Sequence, residues 1–235
     1  MKNAPDRRGA PRRERAVVGS SPSRGPTFDI EQGLLRDGNV LIAGVDEAGR
    51  GSLAGPLCLG IVIYDAAFID SIPGTIPGID DSKKLSPRRR NEALGYIRSR
   101  SLLSSSILVS HRTVDRLNIN GATAYALRKL IEGLPLVPDI VIMDGNFSFD
   151  LPVPLRSIRG GDARSITIAS ASIVAKTRRD AVLDAMAPLF PAYGFSTNRG
   201  YGTRGHIRAI FESGISPVHR LSYEPVKSIL EGKKG

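Results

Sequence analysis

Val40-Leu41-Ile42-Ala43-Gly44-Val45-Asp46-Glu47-Ala48-Gly49-Arg50-Gly51 opens as an apolar run and closes on two adjacent acids and a Gly-Arg-Gly turn. The run is apolar on both alternating sets of positions, so neither face of the predicted strand is meant for water. That puts residues 40–46 at the centre of a sheet covered on both sides. Residues 57–64 (LCLGIVIY) form a second such run, and the short Gly-Ser-Leu-Ala-Gly-Pro link favours antiparallel pairing. Ile107-Leu108-Val109 belongs to a third strand, residues 139–144 to a fourth and residues 153–158 to a fifth. Ser86-Pro87 opens a helix through about Arg100, with serine as cap and proline in the first turn. Further helices are expected over 118–133, 165–187 and 203–213, and residues 65–82 read as a loop. Three early strands with short links, then strands joined through helices, predict an α/β domain: a central mixed five-stranded sheet flanked by helices, with a helical C-terminal extension. Its site should lie near strand ends.

Composition narrows the chemistry. The chain has 235 residues, one cysteine (Cys58) and three histidines, so a Cys/His metal cluster and a disulfide framework are both excluded. A lone cysteine suits a reducing compartment, here the cytoplasm. No stretch approaches the about 18 uninterrupted apolar residues of a membrane span. Net charge is +10, and residues 1–27 supply half of it, with seven basic and two acidic residues. That segment is rich in Arg, Pro, Gly and Ser without apolar periodicity, and is expected to be a disordered basic tail. Residues 28–223 would be the folded domain and 224–235 a C-terminal tail.

Asp46 and Glu47 need an explanation in either of two ways. They are solvated at the strand mouth, capping the turn, or they are desolvated and neutralised by arginines or divalent cations. The fourth strand also runs apolar (Ile140, Val141, Ile142, Met143) and also stops at an acid, Asp144. On the long helix, Ile166, Ile173 and Asp180 follow one another at nearly two-turn spacing, so Asp180 shares the inward stripe and Asp184, one turn on, does not. Lys176 precedes Asp180 by one turn, and a simple i,i+4 ion pair is the plain alternative for it. Four acids with no Cys/His company suit an oxygen-only site for Mg²⁺ or Mn²⁺ and phosphoryl chemistry.

The motifs, in order, resemble type 2 ribonuclease H (ribonuclease HII). They are Asp46-Glu47-Ala48-Gly49-Arg50-Gly51, Asp81-Ser82-Lys83-Lys84-Leu85-Ser86, Met143-Asp144-Gly145-Asn146 and Gly161-Asp162-Ala163-Arg164-Ser165. Ala171-Ser172-Ile173-Val174-Ala175-Lys176 with Arg179-Asp180, and Gly200-Tyr201-Gly202-Thr203, complete the set over about residues 40–223. The resemblance implies a ribonuclease H-like fold and a monomeric, Mn²⁺- or Mg²⁺-dependent endoribonuclease. Its substrates would be RNA–DNA hybrids and duplex DNA containing single ribonucleotides, cut on the 5′ side to leave 3′-hydroxyl and 5′-phosphate ends. By motif position it makes Asp46, Glu47, Asp144 and Asp180 the catalytic metal ligands. Gly49, Arg50 and Gly51 would meet the ribose 2′-hydroxyl through the backbone, and Tyr201 would stack on the next sugar. Lys83, Lys84, Arg164, Ser172 and Lys176 join the substrate contacts. Ser52 stands where proline is usual, Asn198-Arg199 where His-Lys is common and Arg164 where lysine is common. Flanking glycines allow close approach to a sugar, although the same pattern makes a plain tight turn. His111, His206 and His219 read as structural or surface residues. Two rivals stay open on the residues alone: another nuclease of the same fold, such as a junction resolvase, and a basic binding protein without catalysis.

Overall fold

In the computed structural model, which describes residues 25–80 and 82–232, the chain runs α1 (Asp29–Arg36), β1 (Ile42–Ala48), β2 (Leu57–Ile63), α2 (Ala66–Ser71) and α3 (Pro87–Arg100). It continues through β3 (Leu103–Val109), α4 (His111–Glu132), β4 (Ile140–Asp144), β5 (Leu155–Ile158) and α5 (Ile166–Met186). Then come α6 (Phe195–Asn198), α7 (Arg204–Ser213) and α8 (Val226–Leu230). The expected tail over residues 1–24, together with Asp81 and residues 233–235, lies outside the described residues.

The sheet is five-stranded and mixed, in the order β3-β2-β1-β4-β5. The opening stretch is its centre, as its two-sided apolar pattern requires. β1 pairs antiparallel with β2 and parallel with β4; β2–β3 is antiparallel and β4–β5 parallel. One face packs on α4 through Ala43, Val45, Leu59, Ile61, Val141 and Met143. The other carries α5, ten successive residues of which, 166–175, are buried.

Two glycines let α5 lie directly on the strands. A side chain at Gly44 would stand 2.5 Å from the Thr167 carbonyl carbon, and one at Gly60 would strike the Ala171 carbonyl. Gly60 is the register partner of Asp46. Since alternate residues share a face, Gly44 and Asp46 both look toward α5.

Several elements depart from the sequence expectation. The third strand begins four residues earlier than Ile107, because Ser104, Ser105 and Ser106 carry no apolar signal yet pair fully with β2. α4 begins at His111, capped by the Ser110 hydroxyl, and is interrupted at Asn118 (φ 54°, ψ 175°). The Asn118 side chain takes the N–H groups of Asn120 and Gly121, restarting the helix where the sequence placed its beginning. α2 sits within the expected loop, started by the Asp65 cap. α8 lies in the expected C-terminal tail, with Val226 buried.

The segment before β1 is also part of the fold. Thr27, expected in the tail, accepts the Ile166 N–H at 3.0 Å. Glu31, on α1, is fully buried and caps the start of α5: its Oε1 accepts the Ser165 hydroxyl at 2.6 Å and the Thr167 N–H at 3.0 Å. Among the described residues no helix is long and apolar enough to cross a membrane.

Candidate active site

β1 and β4 run parallel, so their C-terminal ends open side by side and bring Asp46, Glu47 and Asp144 to one end of the sheet. Asp46 is buried beneath α5, where Ser172 gives its carboxylate a hydrogen bond. Burial, the Glu47 charge and the more weakly felt Asp144 charge push the Asp46 carboxyl well above the usual carboxylate range. Glu47 is pushed up to about 7, first by burial; Arg50 pulls it back, Asp144 raises it, and Lys83 lowers it again. Asp144 Oδ1 accepts the Gly161 N–H at 2.7 Å, which fixes the carboxylate at the β4 end.

A cavity of about 570 Å³ opens beside Glu47, lined also by Ser82, Lys83, Ser172, Lys176 and Tyr201; Asp46 and Asp144 do not line it. Asp180 lines it too, from the buried side of α5, while Asp184 is half-exposed and paired with Arg199. The inward and outward assignment of these two acids therefore holds. Asp180 is not bare, however. Its carboxylate meets Lys176 Nζ at 2.7 Å, Arg90 Nη2 at 3.3 Å and Arg199 Nε at 3.9 Å. The i,i+4 pair is thus real, but it is buried, and two guanidinium groups share the acid. Among the described residues no three acids or histidines stand together as a ready metal cage.

The donor set nonetheless fits hard divalent cations. All the candidate ligands are carboxylate oxygens. Glu47 Oε2 is buried without a hydrogen-bond partner, an arrangement that costs stability unless a cation or water meets it. Asp46 and Glu47, both desolvated and both raised further by neighbouring carboxylates, have the same need. Asp46, Glu47, Asp144 and Asp180 are the candidate ligands.

The Gly-Arg-Gly turn is held from several directions. Gly49 (φ 93°) is buried, and a side chain there would collide with Arg179, so this glycine answers to packing beneath it. Gly51 is exposed, with nothing within 4 Å of a would-be side chain. The Arg50 guanidinium is tied to Thr123 at 2.8 Å and Asn120 at 2.9 Å, and lies 5.0 Å over the Phe147 ring. It is a strut rather than a free phosphate ligand. Ser52, in place of the usual proline, is buried and links Arg179 Nη2 (2.7 Å) to the Gly49 carbonyl (2.9 Å).

Tyr201 stands at the cavity mouth, with Lys176 and Arg179 at 5.9 and 5.4 Å from its ring centre. Lys83 is at the cavity rim and 3.8 Å from Asp162; Lys84 pairs with Asp80 at 3.8 Å and does not line the cavity. Arg164 lines two separate grooves, one of them beside Arg156 and Arg159. Burial depresses the Lys176 ammonium, against the pull of Asp180. His206 and His219 are buried and hydrogen-bonded to each other at 3.0 Å, away from the acids, as structural histidines.

Sequence reasoning missed Arg90 and the role of Arg179. Arg90 is the buried member of an Arg-Arg-Arg run on α3, and consecutive helical residues point about 100° apart, so composition alone does not say which one turns inward. Arg179 is fully buried and spends its donors on Pro56, Ala54 and Arg199 carbonyls and on Ser52, joining the 49–56 turn to the Tyr201 loop.

This geometry has known counterparts. The family model described as Ribonuclease HII matches residues 43–226. A ribonuclease HII of Caldicellulosiruptor saccharolyticus is 44% identical over 203 residues, covering 86% of this chain and 95% of the relative. The crystal structure of ribonuclease H2 from Pyrococcus horikoshii superposes with a TM-score of 0.67 at 22% identity, over 82% of this chain and 98% of that one. A Bst-RNase HIII structure in complex with Mn²⁺ shares the fold at a TM-score of 0.55 and 17% identity, over 83% of this chain and 70% of that one. The sheet order and the match over most of the chain lead to one conclusion: the chain belongs to the ribonuclease HII family, endoribonucleases that cleave RNA in RNA–DNA hybrids.

Proposed function

We propose that this chain is a divalent-metal-dependent endoribonuclease that also incises duplex DNA on the 5′ side of a single embedded ribonucleotide. Water is the nucleophile, and the products are a 3′-hydroxyl and a 5′-phosphate. The observation that carries this reading is the buried, partnerless Glu47 Oε2 beside two further acids, Asp46 and Asp144, a cluster of carboxyl groups in a protein of net charge +10. Bound Mg²⁺ or Mn²⁺ would supply Lewis acidity there, easing deprotonation of water and neutralising charge on the departing 3′ oxygen.

The chain's own residues do the rest. Ser172 orients Asp46, and the Gly161 N–H holds Asp144, so the two ligating carboxylates are set before substrate arrives. Asp180 completes the acid set by giving up its contact with Lys176, whose ammonium then turns to a phosphate. Lys83 and Lys84 take neighbouring phosphates, and Arg164 reaches the strand further along. The 49–51 turn meets the ribose 2′-hydroxyl, and the Tyr201 ring lies against the sugar that follows. The protein works as a cytoplasmic monomer.

The test is cleavage of a duplex with one ribonucleotide, in Mg²⁺ or Mn²⁺, with product ends mapped. Wild type should leave a 3′-hydroxyl and a 5′-phosphate on the 5′ side of the ribonucleotide. Asp46→Asn and Asp144→Asn should each lower kcat by about a thousandfold with the fold retained. Products ending in 2′,3′-cyclic phosphate, or near-normal turnover by either variant, would overturn the proposal.

A further inference from the structure

Two main-chain acceptors of the 49–51 turn, at Gly49 and Arg50, are already taken. Gly49 O accepts the Ser52 hydroxyl at 2.9 Å. Arg50 O accepts twice, from Arg220 Nη1 at 2.9 Å and from the Tyr223 hydroxyl at 2.7 Å. A carbonyl oxygen has two lone pairs, so this one is filled. Both donors come from the segment between α7 and α8, far along the chain from the turn they hold.

That segment is firmly seated. Arg220 is fully buried, and its Nε and Nη2 hold Gly55 O at 3.2 and 3.1 Å. Its own N–H bonds Leu53 O at 2.7 Å, and the Tyr223 ring lies 5.0 Å from its guanidinium carbon. Just beyond, Asp115 on α4 accepts the N–H groups of Leu221 and Ser222, each at 3.0 Å.

A trans peptide is planar, with its C=O and N–H pointing opposite ways. Holding the Arg50 carbonyl inward therefore turns the Gly51 N–H to the opposite side of the peptide, at an exposed glycine where an added Cβ would meet nothing within 4 Å. We propose that Tyr223 and Arg220 are positioning residues for ribose recognition: they fix the Arg50–Gly51 peptide so that an N–H donor, and not a carbonyl, faces the 2′-oxygen of the sugar. Discrimination between RNA and DNA is then set partly by the C-terminal segment, which touches no substrate. This rests on the proposed contact between the 49–51 turn and ribose, and the test separates the two.

Tyr223→Phe keeps the ring over Arg220 and removes a single donor. Steady-state cleavage of an RNA–DNA hybrid is measured for wild type, Tyr223→Phe and Gly51→Ala, alongside thermal melts and the Gly51 amide resonance in ¹⁵N-glycine-labelled protein. Releasing the peptide weakens a contact made before and during the reaction, so KM for Tyr223→Phe should rise about tenfold with kcat within about twofold. The Gly51 resonance should shift while the melting temperature stays near wild type. A kcat loss at unchanged KM, as a merely smaller folded fraction produces, would overturn the proposal. So would an unmoved Gly51 resonance. If Gly51→Ala raises KM and Tyr223→Phe does not, the clamp falls and the ribose contact stands. If neither raises KM, both fall.

Discussion

Glu47 gathers the electrostatics of the site into a single side chain. Its carboxyl is pushed up from about 4.5 to about 7 by burial, with one oxygen left partnerless. A group whose folded pKa is raised contributes stability that is full below the unfolded value and lost as pH rises through the folded one. The metal-free protein should therefore lose stability between about pH 4.5 and 7 on account of this residue. Glu47→Gln should flatten that loss and raise the metal-free melting temperature at pH 8 by a few degrees. It should also shrink the melting-temperature gain that Mg²⁺ or Mn²⁺ gives wild type, since ligand binding stabilises only through the sites that bind it. Thermal melts of both proteins across pH 5–8, with and without metal, check the prediction; a variant that loses stability with pH as steeply as wild type would refute it. The same reasoning separates the two glycines of the turn: Gly49 is fixed by the Arg179 beneath it, whereas Gly51 is free to meet something from outside.

At the scale of elements, the site depends on how closely α5 lies on β1 and β2. Gly44 and Gly60 allow that approach, and through it Ser172 reaches Asp46. Gly60→Ala would drive a methyl group into the Ala171 carbonyl and to 2.8 Å from the Ala175 N–H nitrogen. Backbone on both sides cannot yield as a flexible side chain would. The expected cost is about 2–3 kcal/mol, or a melting temperature lower by about 5–10 °C. Activity should fall further than the melt alone explains, because Ser172 and Asp180 ride on the displaced helix. Differential scanning calorimetry beside a hybrid-cleavage assay decides it, and a variant with unchanged melt and turnover would show that the helix has room to spare.

For the whole molecule, much was legible in advance. The two-sided apolar run gave a central strand, the short link gave antiparallel pairing, and the two apolar strands that stop at acids brought Asp46, Glu47 and Asp144 to one end of the sheet. Less legible were elements whose signal is not hydrophobic: the serine-rich half of β3, the short α2, and the first half of α4 ahead of the Asn118 break. Nor did the sequence say that Arg90 and Arg199 would share Asp180, because the direction of an arginine on a helix or turn depends on packing. Arg164 was expected among the substrate contacts, yet lies in grooves apart from the acid cavity, one of them beside Arg156 and Arg159. A duplex covers more surface than a cavity, and each phosphate neutralised by a cation adds about 0.9 to the slope of log K against log salt. Arg164→Ala should leave kcat near wild type and reduce that slope for hybrid binding by about one. Titrations at several salt concentrations measure it, and an unchanged slope would remove Arg164 from the contact surface.

Glu31 and Thr27 finish the first turn of α5, yet both precede residue 43, where the match to the family model begins. The stretch that the family model matches and the mechanically complete unit thus have different borders in this chain. A version trimmed to the familial border would keep every acid of the site and still expose the Ser165 and Thr167 groups that the buried glutamate now satisfies, loosening the helix on which Ser172 and Asp180 stand.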